Sequence, residues 1–144
     1  MRNYILSVTG ISMLLGMLIL IQSCQPNIGI ETAQYAVNGQ KLYVAHCQNC
    51  HGAKGEGLGK LYPPLTDSLF LNKHRAQLAC IVKNGIKGPI QVNGETYDGE
   101  MPGIPELTKV DIAYILTYIT TTFGNSTQTF TQDEVTQGLG NCAK

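Results

Sequence analysis

Apolar residues in this chain form one dense block followed by three separated, periodic ones. The block runs from Ile5 to Ile21, broken only by Ser7, Thr9, Gly10, Ser12 and Gly16. A short polar stretch, "QPNIGIETAQ", follows Cys24 and reads as a tether because Pro26 and Gly29 interrupt regular structure. The fold is expected to begin near Tyr35. From Val37 to Asn49 the spacing of Val37, Leu42, Tyr43, Val44 and Ala45 predicts an amphipathic helix. A second helix is expected from Lys73 to Val82, with Gly85 as its stop. The best pattern lies at Thr108 to Thr122, where Val110, Ile112, Ala113, Ile115, Leu116 and Ile119 give a broad apolar face. Thr108 and Asp111 there form a capping-box start, and Gly124 ends the helix.

The segments between are of another kind. "GAKGEGLGKLYPPL" holds four glycines and two prolines, so it predicts a long loop of the sort that serves a ligand. Residues 86–105 are again rich in glycine and proline, and "VNGET" predicts a tight hairpin turn. The tail from Asn125 to Lys144 is polar, with one short helix expected at Thr131 and Glu134.

The stretch around the first apolar block has one positive residue before it, Arg2, and "IQSC" at its end, the pattern of an export leader over residues 1–23. "IQSC" resembles the lipobox of bacterial lipoproteins, which implies cleavage before a lipidated Cys24. The alternative is a retained helix, marginal in length for a bilayer. Either reading exports the domain and tethers it. At 144 residues with 43% hydrophobic content, the chain suits one domain with a small core. Ten basic residues balance ten acidic ones, which excludes a nucleic-acid footprint.

The chemistry concentrates in "HCQNCHG", residues 46–52. Structural zinc needs four ligands, and no second C-x-x-C or H-x-x-x-H accompanies Cys47 and Cys50. A thioredoxin-like dithiol should follow a strand in alternating strand and helix context, whereas Cys47 follows a helix. C-x-x-C-H remains, the attachment sequence for c-type haem. Two thiols three positions apart at a helix end reach the two vinyl groups of one porphyrin edge, and His51 then faces the iron. Outside the leader, which holds Met1, Met13 and Met17, the one methionine is Met101, in a loop bounded by Gly99, Pro102 and Gly103. It is the expected sixth ligand. His46 and His74 are the rivals.

These motifs occur in an order that resembles class I cytochromes c from Val37 to Gly124: the helix before "CQNCHG", the "YPPL" loop, the "NGETYDGEMPG" loop and the helix "LTKVDIAYILTYI". The resemblance implies an all-α cytochrome c fold, a small helical domain (36–124) wrapped around one covalent haem. Residues 24–35 then form the lipidated tether, and 125–144 an added tail. It implies thioethers at Cys47 and Cys50, axial ligation by His51 and Met101, and a Pro63 or Pro64 carbonyl accepting the His51 ring N–H. It further implies Tyr97 reaching a haem propionate, and Gly39 facing Tyr118 where the first and last helices cross.

With both axial positions filled, such a site carries single electrons and is not an enzyme. The Met-loop wording resembles cytochrome domains of respiratory oxidases and periplasmic dehydrogenases. The expected partners are therefore an oxidase, a dehydrogenase or a quinol-oxidising complex, met on the periplasmic side of a bacterial membrane. The rival readings are a peroxidase-like or gas-binding protein with a displaceable methionine, and a relay subunit of a larger complex. Lys54 and Lys60 either steer an acidic partner or merely solubilise the surface. Finally, Cys80 and Cys142 are the pair left over in an oxidising setting and are expected to form a disulfide, the alternative being two unrelated thiols.

Overall fold

The computed structural model describes residues 28–142. The leader and Cys24 lie outside the described residues. Helix α1 (Ile30–His46) leads through Cys47 into the short α2 (Gln48–His51). A glycine-rich loop follows, then α3 (Ser68–Lys73) and α4 (Arg75–Asn84). Four three-residue strands come next: β1 (Gly85–Lys87), β2 (Ile90–Val92), β3 (Glu95–Tyr97) and β4 (Glu100–Pro102). The chain closes with α5 (Lys109–Thr122) and α6 (Gln132–Gly140). No helix among the described residues is long and apolar enough to cross a membrane.

The central packing is α1 across α5. Gly39 makes it possible, because a Cβ there would collide with the backbone carbonyl of Tyr114 and approach the Tyr118 Cβ to 2.8 Å. Any larger residue would push the helices apart. The core gathers Tyr43 from α1, Leu78, Ala79 and Val82 from α4, and Ile112, Ile115, Leu116 and Ile119 from α5. The α5 start has the expected capping box, with the Thr108 hydroxyl accepting from the Asp111 N–H and the Asp111 carboxylate accepting from the Thr108 N–H.

Three expectations need correction. Part of the expected tether is helical: α1 begins at Ile30, because Thr32 is buried and shares a 2.7 Å hydroxyl bond with Thr129 in the tail. The expected helix at Lys73 to Val82 is two helices that break at His74, and α3 starts earlier because the Asp67 carboxylate caps it by accepting from the Phe70 N–H. The tail is not an appendage, since Phe130 and Val135 belong to the core. Arg75 secures it, reaching both Glu134 carboxylate oxygens at 2.9 and 3.2 Å and the Thr129 carbonyl at 3.1 Å while lying over the Phe130 ring. Where α6 crosses α4, Gly138 sits close to the Ala76 carbonyl, and the Cys80–Cys142 disulfide joins the same two regions.

The strands form two antiparallel pairs. β2 and β3 flank the "NG" turn, in which Asn93 and Gly94 both take positive φ as a tight hairpin requires. β1 pairs with β4, bringing Ile86 opposite Met101. This second pair was not visible in the sequence pattern.

Candidate functional site

A cleft of about 1180 Å³, its open mouth included, opens among these elements, and its walls are overwhelmingly apolar. One wall is built locally. The turn from α1 into α2 presents Cys47 and His51 as buried residues and Cys50 as an exposed one, all three lining the cleft. Burial pushes the Cys47 thiol up to about 11, and Cys50 beside it adds to the effect. Cys47 and Cys50 thus line the same cleft, three positions apart, where both thiols can add covalently to an apolar group held between the walls.

His51 is only 7% exposed, and its Nδ1 lies 3.0 Å from the Pro63 carbonyl. A carbonyl only accepts, so Nδ1 carries the proton and Nε2 keeps the lone pair that a metal needs. Burial pulls His51 below the usual imidazole range, the Pro63 bond only partly opposing it, so the ring stays in its neutral, ligating form. Pro64 also lines the cleft, but the hydrogen bond is to Pro63.

The loop is folded back on His51 by its own backbone. The Gly57 N–H donates to the His51 carbonyl at 2.8 Å, and the Leu65 N–H to the Gly55 carbonyl at 2.8 Å. Gly57 takes φ +70°, and a Cβ there would run into the Tyr62 carbonyl and come within 2.8 Å of Pro63, so glycine is required. Beneath the turn the fully buried Tyr43 donates its hydroxyl to the Gly52 carbonyl at 2.6 Å.

The other wall comes from distant parts of the chain. Leu78, Ile81 and Val82 of α4, Ile86 of β1, Val92, Tyr97 and Met101 all line the cleft. Met101 is half-buried and held by the β1–β4 pairing, while the Ile104 N–H bonds the Val82 carbonyl at 3.0 Å just beyond it. Tyr97 is buried in the lining, where the resemblance had it reach a propionate.

Sequence reasoning missed Asp67. Its two carboxylate oxygens accept from the Phe70 N–H at 3.0 Å and the Asn93 N–H at 2.7 Å, tying α3 to the hairpin tip. Those backbone donors, Phe70 first, hold the carboxyl below its usual range. The signal was present: "TDSLF" is a helix N-cap pattern.

The rival histidines are elsewhere. His46 is exposed and absent from the lining, and His74 pairs with Gln77, Nδ1 to Oε1 at 2.9 Å. Lys54 and Lys60 are exposed on the loop.

This donor set fits a haem. A large planar apolar group needs apolar walls, two thiols at one edge and a neutral imidazole with its metal-facing nitrogen free, and the cleft supplies each. A thioether, soft enough for haem iron, lines the same cavity.

Comparison with known proteins agrees. Residues 36–123 match the family model described as "Cytochrome c". The chain is 32% identical over 116 residues to a cytochrome c-552 of Thermus thermophilus, covering 74% of this chain and 76% of that protein. It is also 32% identical over 107 residues to a second Thermus thermophilus cytochrome c-552, covering 68% of this chain and 81% of the other. The "HCQNCHG" stretch thus has its context, and the chain belongs to the cytochrome c family, electron carriers that bind haem c covalently.

Proposed function

We propose that this chain is a membrane-tethered, single-haem electron carrier of a bacterial respiratory chain, in which His51 and Met101 would hold the haem iron. Bound in the cleft, the haem supplies a one-electron redox centre. The chain's residues do the rest. Cys47 and Cys50 hold the group by its edge, and the Pro63 carbonyl fixes the His51 tautomer and raises its basicity. The Met101 thioether favours the reduced iron. Apolar side chains from α3, α4 and α5 keep water from the site. The observation that carries the reading is that His51 and Met101, fifty positions apart, line one apolar cleft together with both thiols.

Two protein ligands leave no open position for a small molecule, so the reading is of a carrier and not of a gas sensor or peroxidase. The leader and Cys24 support a periplasmic domain held by acyl chains, with an oxidase, a dehydrogenase or a quinol-oxidising complex as its redox partners.

Carbon monoxide decides between the classes. The reduced wild-type protein should not bind it appreciably, and Met101→Ala should bind it readily with a lower reduction potential. A wild-type protein that already binds carbon monoxide, unchanged on losing Met101, would overturn the assignment.

A further inference from the structure

Scattered exposed apolar residues are ordinary, but those on α1 are not scattered. Ile30, Val37 and Val44 are 81%, 58% and 52% exposed and recur every seven residues. At ~100° per residue they fall within about 40° of one another. The buried Thr32, Gly39 and Tyr43 occupy the opposite side. Ala33 and Gln34 flank the strip, and Lys41 is its one charged member, which gives it an apolar body with a single basic head.

What lies near this strip follows from the sequence. Cys24 is six positions before Ile30, and extended backbone spans at most about 20 Å over that distance. The 17-residue helix is itself about 25 Å long. Whether the anchor is acyl chains or an uncleaved apolar segment, the first turn of α1 stays within reach of the bilayer. Tethering of this kind raises local concentration to the millimolar range, so a small apolar strip suffices for contact. The basic Lys41 suits lipid phosphate, with its stem along the apolar surface.

We propose that the outward strip of α1, formed by Ile30, Val37, Lys41 and Val44, rests on the lipid surface that anchors the chain and sets the angle of the haem cleft to the membrane. The inference rests on the membrane-tethered reading above. The helix is a rigid lever for this purpose: Gly39 locks it against α5, Thr32 is bonded to Thr129, and α1 ends one residue before the turn that carries His51. A docked strip therefore fixes the haem plane.

The test uses the full-length mature holo-protein in oriented planar bilayers of phosphatidylethanolamine with a minority of phosphatidylglycerol. Polarised absorption of the haem band reads the tilt, and sedimentation with vesicles of the same lipids reads attachment. The wild type should show a preferred tilt at every surface density. Val37→Glu with Val44→Glu should lose that tilt while still sedimenting with lipid and keeping its visible spectrum. Should that pair misfold, Val37→Gln with Val44→Gln should weaken the tilt. An untilted but attached wild type, or a tilt preserved in a folded double variant, overturns the proposal. A tilt that vanishes as the protein is diluted in the bilayer places a second copy on the strip and overturns it as well. A chain that fails to sediment refutes the anchor, and this proposal with it, before any tilt is measured.

Discussion

The two walls of the cleft are held in opposite ways. The His51 wall is local: Tyr43, Gly52, Gly57 and Pro63 brace it within about twenty positions of sequence, mostly by backbone carbonyls and N–H groups. The Met101 wall is assembled from afar. Its strands are three residues long, and α4, which leads straight into β1, is clamped from behind by the tail through Arg75, Gly138 and the disulfide. A locally braced wall survives loss of distant contacts, whereas the other inherits every weakness of the tail. The wall that carries His51 and the wall that carries Met101 are thus distinguished by the range of the contacts behind them.

The largest expected effect breaks this contrast at its root. His51→Ala should abolish accumulation of the holo-protein, while Met101→Ala keeps its covalent pigment. Haem-stained gels of exported protein check this, and equal loss in both variants would mean that the walls do not differ in kind. Next in size is the staple. The disulfide closes a loop of 62 residues, so Cys142→Ser should cost about 4 kcal/mol of stability on the chain-entropy model. Thermal unfolding measures it. The same variant should admit some carbon monoxide by loosening the Met101 side, with His51 coordination unchanged.

Gly57→Ala attacks the local wall. The left-handed backbone and the clash with Tyr62 and Pro63 should destabilise the protein by about 1–3 kcal/mol and disturb the His51 spectrum without admitting carbon monoxide. Urea unfolding with absorption spectra checks both parts. The smallest effect is acidic. Asp67 is held below its ordinary value by the Phe70 and Asn93 N–H groups. Burial pushes Glu134 upward, but the bonds from Arg75 and Thr131 outweigh it and leave that carboxyl lowered too. A depressed carboxylate contributes stability above its unfolded value and loses it as pH falls through the folded one. Stability should therefore hold at neutral pH and decline from about pH 4.5 downward, the ordinary value for Glu134. Asp67→Asn should flatten the lower part of that decline. Melting temperature against pH is the measurement.

What could be read in the sequence divides along the same line. The thiols, His51 and the loop were legible because covalent attachment demands fixed spacing and a glycine-rich chain punctuates itself. The α5 and α6 starts were legible through Thr108 with Asp111 and Thr131 with Glu134, both capping boxes in the structure. The start of α1 was not, since Glu31, Thr32 and Gln34 look like tether until Thr129 arrives from the far end of the chain. The β1–β4 pair was equally hidden: three residues are too few to show alternation, and the partner strand lies beyond an intervening hairpin. Pairings of long range leave little trace in local pattern. Asp67 was the one readable signal left unread.

The crossing at Gly39 also couples distant parts of the described chain. Its partners, Tyr114 and Tyr118, lie on α5, so the helix that leads into Cys47, Cys50 and His51 is seated by contacts more than seventy positions away, at the cost of closing a long loop. With that crossing in place Cys47 is buried and Cys50 exposed, so the two thiols of one motif differ in how far they can be reached from outside.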